Sequence, residues 1–273
     1  MLNLLLLTCV LICYLCATLL IAGYIRASND NASNTKPLTL ASIIAIIGSL
    51  AHIGYSFNIS IIDHALNFSF HSMLVLISAV LVVTYLLGSI IMPIRRLGIL
   101  VFPFVILCLL FTLVWGNDSI NRLNASIYLS SHILVSVLAY SLLTIATVQG
   151  LLYIYQEKQI KNRTSPAMLM ALPPLQTMEQ LLFRLITTGF ILLTLTLFSG
   201  AIFSHEIFDK PFVFTHHTIL AFLGWLAFAA VLFKRHKDGI RGTQAVSLTV
   251  IGFLLIQLGY FGTKLVSESI ALN

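Results

Sequence analysis

Long apolar runs, interrupted by short polar segments, dominate the pattern along the chain. Each run covers about 20 residues, the length that an α-helix needs to cross a bilayer core at about 1.5 Å per residue. The approximate limits of the eight runs are Leu2 to Ile25, Leu38 to Phe57, Ser72 to Met92, Leu97 to Trp115, Ile127 to Ile154, Leu181 to Ser204, His217 to Lys234, and Thr243 to Val266. The pattern predicts an all-α fold, a polytopic membrane bundle of eight transmembrane helices.

The composition agrees with a membrane protein and excludes a water-soluble globule. Of the 273 residues, 59% are hydrophobic and 9% are charged, whereas an ordinary soluble domain carries about 25% charged residues. No internal repeat or low-complexity linker divides the chain, so we expect residues 1–273 to form a single transmembrane domain. The first apolar run is longer than the apolar core of a signal peptide, about 7 to 15 residues, and we expect it to be a retained span.

Basic residues predict the orientation of the bundle. If the spans alternate, one side of the membrane carries only three of the Lys and Arg residues, Arg122, Lys210 and Lys264. Because basic residues near span ends resist translocation, the richer side is expected to be cytoplasmic, with both chain termini outside. The basic residues are therefore expected to set the orientation in the membrane lipid, and the positive net charge does not indicate a nucleic-acid partner.

Acidic residues and motifs exclude several activities. All the carboxylates fall in loops or at span ends, whereas ion carriers usually place acidic groups near the centre of the bilayer. A small-ion permease is therefore the least favoured class. The sequence contains no phosphate-binding glycine loop, no HExxH motif and no serine nucleophile elbow, and we expect a protein that is not an enzyme.

Small residues at helical spacing predict close helix packing in two spans. The first span carries Cys9, Cys13 and Cys16, and the last carries Gly252, Gly259 and Gly262. Small side chains let neighbouring helix backbones approach one another. The CxxC spacing in the first span therefore indicates packing and not redox chemistry.

Histidine is the residue type with the most uneven distribution. Under the predicted topology only His236 is cytoplasmic, and the others lie in the outer half or outer loops, namely His52, His64, His71, His132, His205, His216 and His217. Neutral imidazole ligates iron and other transition metals, so the pattern predicts a ligand site at the outer membrane surface. The alternative for His64, His71, His205, His216 and His217 is that they are polar interface residues in loops. His64 and His217 are the weakest candidates.

His52 and His132 differ from the rest because each lies inside an apolar helix. Their predicted depths are similar, so the two imidazoles could face each other. An ionisable group inside a membrane is a functional-site hypothesis, and a hydrogen bond to a neighbouring helix is the structural alternative. We take His132, His52, His205 and His216 as candidate cofactor ligands, and His132 and His52 as candidate metal ligands.

Three stretches in the second half of the chain resemble a known family. They are Ser131-His132-Ile133 with Leu138-Ala139-Tyr140-Ser141, the segment from Met178-Glu179 to Ser199-Gly200-Ala201, and the segment from Gly224-Trp225 to Tyr260-Phe261-Gly262. In order and spacing they resemble the cytochrome c assembly membrane proteins, and within them the smaller HemX-like branch. The resemblance implies a multi-pass protein of the bacterial inner membrane that binds or handles haem in cytochrome c biogenesis, with cytochrome maturation proteins as partners. It implies that His132 is an outer iron ligand.

Full-length members of that family present haem on a tryptophan-rich loop, the WWD motif. This chain has no tryptophan between Ala201 and Thr218, and the aromatic residues there are Phe203, Phe208, Phe212 and Phe214. Lys210 and Arg122 are the outer-loop bases that the haem propionates would meet. A second hypothesis remains open, in which the chain is a scaffold without a cofactor that holds a partner through the loop from Tyr155 to Gln180.

Overall fold

The computed structural model describes residues 1–27, 35–62, 65–67, 69–115, 122–123, 127–162, 172–208 and 216–266. Within these ranges, eight helices are long and apolar enough to cross a membrane, which confirms the predicted number. They are α1 (Leu2–Ala27), α2 (Lys36–Ser60), α3 (Phe70–Ile91), α4 (Gly98–Trp115), α5 (Ile127–Lys161), α6 (Leu175–Phe208), α7 (His216–Asp238) and α8 (Gly242–Gln257), whose span continues to Val266. A 3-10 turn, Arg95–Leu97, precedes α4, and a π-helical segment, Leu258–Gly262, follows α8.

Helix α5 extends further than its apolar run. It continues past Ile154 to Lys161, where the Lys161 ammonium pairs with the Glu157 carboxylate at 2.9 Å. The Gln156 side-chain amide donates to the carbonyl oxygen of Pro173 at 3.0 Å. Because such contacts support a helix without apolar periodicity, the hydrophobic pattern alone placed this end too early.

A three-stranded antiparallel sheet lies between the helices at one end of the bundle. Its strands are β1 (Ile61–Ile62), β2 (Ala65–Asn67) and β3 (Arg122–Leu123), in the order β1-β2-β3. Strands of two or three residues are too short to show alternation, so the sequence did not predict them. The sheet joins the connection after α2 to the connection before α5.

Three hairpins and one central helix organise the bundle. Helices α1 and α2, α5 and α6, and α7 and α8 pack together most extensively, and α5 also contacts α3 and α8. Large apolar side chains such as Tyr14, Phe102 and Phe228 are fully buried, whereas Ile90 and Leu50 are 76% and 65% exposed. Such exposed aliphatic side chains along helices are typical of a surface that faces lipid.

The predicted close packing holds at some of the small residues. A Cβ atom built on Gly252 would lie 3.0 Å from the Phe228 ring, and one built on Gly259 would lie 3.3 Å from the carbonyl oxygen of His217. Gly262 has only Leu258 of its own segment nearby, so the prediction is wrong there. In the first span, the Cβ of Cys13 packs against Gly48, whereas Cys16 is exposed.

Contacts between helix ends define two ends of the bundle. The histidine end contains the starts of α3, α5 and α7 and the ends of α4, α6 and α8, and its members include His71, Thr112, His132, Ser199, His217 and Tyr260. The basic end lies opposite, and its members include Arg96, Glu157, Glu179, Lys234, Arg235 and Arg241. Imidazoles and ion pairs are therefore concentrated at opposite ends of the same helices.

Candidate functional site

His132 lies one turn and a half into α5, half-buried against α6. Its Nδ1 is 2.8 Å from Ser199 Oγ, and Ser199 Oγ donates its only proton to the carbonyl oxygen of Thr196 at 3.1 Å. Ser199 must therefore accept a hydrogen bond from Nδ1–H, which assigns the tautomer. The lone pair of His132 is then on Nε2, which no hydrogen bond reaches within the described part of the chain.

The neighbour of Ser199 provides space for the same imidazole. A Cβ atom built on Gly200 would lie 3.1 Å from Cε1 of His132, so a larger residue would push the ring away from α6. On the α5 side, Ser136 Oγ donates to the backbone carbonyl of His132 at 2.6 Å and does not contact the ring. Ser199 and Gly200 of α6 therefore set the orientation of the imidazole.

A second imidazole beside His132 belongs to His217, which was among the weakest candidates predicted from the sequence. It lies in the first turn of α7, half-buried, and its ring packs edge-on against Tyr260 at 5.8 Å between centroids. It is near enough to His132 for an electrostatic interaction between the two rings. Tyr260 belongs to the π-helical segment, and such segments are frequent at functional sites.

The adjacent pair His216-His217 could have indicated from the sequence that one of the two imidazoles faces the bundle. Adjacent residues of a helix point about 100° apart, so two consecutive histidines at a span start cannot both face solvent in the same way. The structure leaves His216 exposed and turns His217 towards the bundle.

His52 is fully buried, and its surroundings favour the structural alternative. Its Nε2 is 3.4 Å from Ser78 Oγ, and Ser78 already donates to the carbonyl of Val75. Ser78 therefore accepts from Nε2–H, and the Tyr14 hydroxyl, 3.2 Å from Nδ1, donates to the remaining lone pair. Both nitrogens are used, so His52 joins α1, α2 and α3. Its hydrogen bonds have no residue in common with those of His132, and no contact joins the two imidazoles.

His71 differs from His52 in how its two ring nitrogens are used. Its side chain is buried at the start of α3, and Nδ1 lies 3.3 Å from the carbonyl oxygen of Thr112 at the end of α4. A carbonyl only accepts, so Nδ1 carries the proton. Nε2 is buried without a hydrogen-bond partner within the described ranges. His71 thus keeps an unpaired lone pair, as His132 does, but on a buried nitrogen between α3 and α4.

The other candidates contribute less to the described site. His216 is exposed at the start of α7, and His205 lies on α6 with its side chain outside the described part. His64, Lys210, Phe212 and Phe214 lie outside the described residues, as do the side chains of Arg122, Phe203 and Phe208. In the loop from Tyr155 to Gln180, residues 163–171 are likewise outside the description.

The carboxylates that the structure describes lie at helix ends, as predicted. Glu179, in the first turns of α6, is 2.6 Å from Arg235 Nη1 and 3.7 Å from Arg241 Nε. Glu157 pairs with Lys161, and Asp238 is exposed at the end of α7. These three carboxylates belong to the basic end, away from His132.

Comparisons with known proteins give a family and several relatives. The family model described as cytochrome C assembly protein matches residues 40–271. The inner membrane protein YpjD of Escherichia coli K12 is 28% identical over 172 residues, which is 63% of this chain and 64% of that protein. The cytochrome c biogenesis protein CcsA of Spinacia oleracea is 33% identical over 116 residues, or 41% of this chain and 36% of that protein. No solved structure matches the chain.

Proposed function

Since the chain belongs to the cytochrome c assembly protein family, we propose that it binds or passes haem at the histidine end in cytochrome c biogenesis. The relative CcsA is named for cytochrome c biogenesis, and YpjD is named as an inner membrane protein. We infer that this chain, too, is a multi-pass protein of the bacterial inner membrane. Its histidine end faces outwards, and it carries the cofactor without catalysing a reaction of its own.

The available lone pair on Nε2 of His132 is the observation that carries this proposal. A porphyrin would supply four nitrogen ligands to its iron, so one or two imidazoles from the protein would be sufficient to hold it. Metal-ligating histidines typically donate their other ring N–H to an oxygen acceptor, which fixes the ring orientation. The hydrogen bond from His132 Nδ1 to Ser199 Oγ is an interaction of this kind.

The surroundings of His132 also offer apolar surface to a large flat ring. On α6, Phe198 and Ile202 flank the Ser199-Gly200 pair and are 68% and 57% exposed. Their side chains offer apolar surface at the membrane-facing side of the site. His217 is a second imidazole near His132, and its ring packs against Tyr260 beside the site.

In this proposal, bound haem supplies the iron centre that cytochrome c assembly must deliver, and the protein supplies the ligand. His132 donates the Nε2 lone pair, Ser199 holds the ring, and Gly200 leaves space for it. His217 is the candidate second donor. The partners that give or receive the haem are cytochrome maturation proteins.

The absorption spectrum of the protein purified in detergent from haem-replete cells tests this function. We expect the wild type to show a Soret band. In His132→Ala, the ratio of Soret absorbance to protein absorbance should lose most of its wild-type value. His216→Ala is the matched control, because His216 is an exposed histidine at the same end, and it should retain the band. A colourless wild type that still supports cytochrome c assembly would favour the scaffold hypothesis instead.

A further inference from the structure

A groove at the basic end lies between the end of α7 and the start of α8. It has a volume of about 360 Å³. It is lined by Lys234, Ile240, Thr243, Gln244, Ser247 and Leu248. One wall therefore carries an ammonium, the α8 wall carries hydroxyl and amide groups, and two aliphatic side chains complete the lining. The groove lies far from His132, which is at the histidine end.

Among the described residues that line the groove, Lys234 is the one that carries a charge. Arg235 and Arg241 face the Glu179 carboxylate, and the Lys237 ammonium lies over the Phe233 ring at 5.8 Å. The Lys234 ammonium has no ion pair or hydrogen bond within the described part of the chain, and only the backbone carbonyl of this residue is bonded, by Ile240 N–H at 3.5 Å. The Glu157 carboxylate lies beside the groove, 3.4 Å from Thr243 Oγ1, and its charge is offset by Lys161 at 2.9 Å. Asp238, four residues after Lys234 on α7, is exposed.

The connection that closes the groove is fixed by hydrogen bonds. Gly239 and Gly242 both have positive φ, at 64° and 58°, and they allow a short turn between α7 and α8. The Ile240 carbonyl accepts from Arg235 Nη1 at 3.0 Å, and Arg235 in turn pairs with Glu179. The wall formed by Ile240 is therefore tied to α6 as well as to α7.

We propose that this groove binds the phosphate of an anionic phospholipid headgroup, with Lys234 as the cation that recognises it. Basic clefts between helices near a membrane surface are suited to such headgroups. Gln244 and Ser247 offer hydrogen bonds to the glycerol and phosphate oxygens. The aliphatic Ile240 and Leu248 of the lining offer apolar contact to the start of the acyl chains.

The position of the groove favours a lipid over a soluble phosphate compound. Its lining runs from the connection at Ile240 to Ser247 and Leu248 on the membrane-spanning part of α8. A headgroup enters such a groove from the side while its acyl chains stay in the bilayer. A free phosphate ion would meet the same ammonium without using the apolar part.

Native mass spectrometry of the full chain tests this site. Protein is extracted from vesicles of equal parts phosphatidylglycerol and phosphatidylcholine, and the lipids retained on each molecule are counted. We expect the wild type to retain phosphatidylglycerol preferentially, and Lys234→Gln to lower that retention about fivefold, the effect of one lysine near an anionic lipid. Lys237→Gln makes the same charge change on the same helix outside the groove, and should retain lipid as the wild type does.

Two further variants distinguish a specific lipid site from diffuse charge attraction. Ser247→Leu fills the groove without changing charge and should also lose the lipid, whereas Lys234→Arg should keep it. Equal losses in Lys234→Gln and Lys237→Gln would overturn the proposal in favour of diffuse charge attraction. Displacement of the lipid by millimolar inorganic phosphate would overturn the lipid assignment in favour of a free anion.

Discussion

Three buried or half-buried imidazoles show how hydrogen bonds decide what a histidine can do. His52 donates from Nε2 and accepts at Nδ1, so it has no lone pair left for a ligand. His71 and His132 both donate from Nδ1, to Thr112 and Ser199 respectively, and among the described residues neither has a hydrogen-bond partner at Nε2. The distinction depends on neighbouring hydroxyl and carbonyl groups, and not on depth in the membrane.

At the residue scale, Ser199 is expected to position the iron ligand. In Ser199→Ala, the imidazole of His132 loses its acceptor, so both the ring orientation and the tautomer are released. We expect the affinity for haem to fall about 10- to 100-fold, as for other partners of metal ligands. Titration of the purified apo-protein with hemin, followed at the Soret band, measures the change.

Ser136→Ala is the control for that experiment. Ser136 bonds the backbone carbonyl of His132 and leaves the ring untouched, so its removal should leave haem affinity unchanged. Equal effects of the two serine substitutions would mean that helix packing, and not imidazole orientation, controls binding.

His52 is expected to matter for stability and not for haem. His52→Ala removes two buried hydrogen bonds and leaves the Tyr14 hydroxyl without its partner. The expected loss in the free energy of unfolding is about 1 to 3 kcal/mol, measured as a lower midpoint of thermal unfolding in detergent. The Soret band of the folded fraction should persist, and its disappearance would restore His52 as a ligand candidate.

At the element scale, α7 and α8 are held together by two glycines that face each other. A Cβ atom on Gly224 would lie 3.0 Å from the carbonyl oxygen of Gly252 and 2.6 Å from Ile256 Cγ1. The Gly252 oxygen is backbone and cannot move aside without shifting the helix. This crossing sets the position of α7, which carries His217 at its first turn.

Gly224→Ala should therefore destabilise the bundle, by about 1 to 3 kcal/mol from overpacking. Gly23→Ala is the matched control, because Gly23 lies in α1 with no atom within 4 Å of the Cβ position. That substitution should leave the unfolding midpoint unchanged or raise it slightly, since alanine is the better helix former. If both variants behave alike, the crossing does not depend on Gly224.

The number of spans and the concentration of histidine could be predicted from the sequence, whereas the pairings within the site could not. Each apolar run depends on one helix alone, and the runs identified the eight spans found among the described residues. The role of His52 depends on Tyr14 and Ser78, which belong to other helices, and the importance of His217 depends on Tyr260. Such contacts join residues far apart in the chain, and a lone histidine in a sequence does not reveal its partners.

At the scale of the whole molecule, imidazoles and ion pairs lie at opposite ends of the bundle. Ion pairs such as Arg235 with Glu179 lie at one end, and His132 and His217 lie at the other. The excess of basic residues predicts that the basic end is cytoplasmic. Haem would then be held at the outer surface, where cytochrome c assembly needs it in the proposed function.

Cysteine labelling in intact cells tests this orientation. In a variant without the native cysteines, His216→Cys at the histidine end should react with a membrane-impermeant maleimide. Asp238→Cys at the basic end should react only after the membrane is permeabilised. Both positions are exposed, so a difference in labelling reports the side of the membrane. The reverse pattern would contradict the outward placement of the site.

Chemical rescue of His132→Gly tests the iron ligand most directly. The substitution removes the imidazole and leaves space beside Ser199 and Gly200 for a free imidazole molecule. We predict that the variant binds hemin weakly, and that added imidazole restores the wild-type Soret maximum and affinity. Wild-type binding by His132→Gly without imidazole would contradict the account, because the iron would then have its ligand elsewhere.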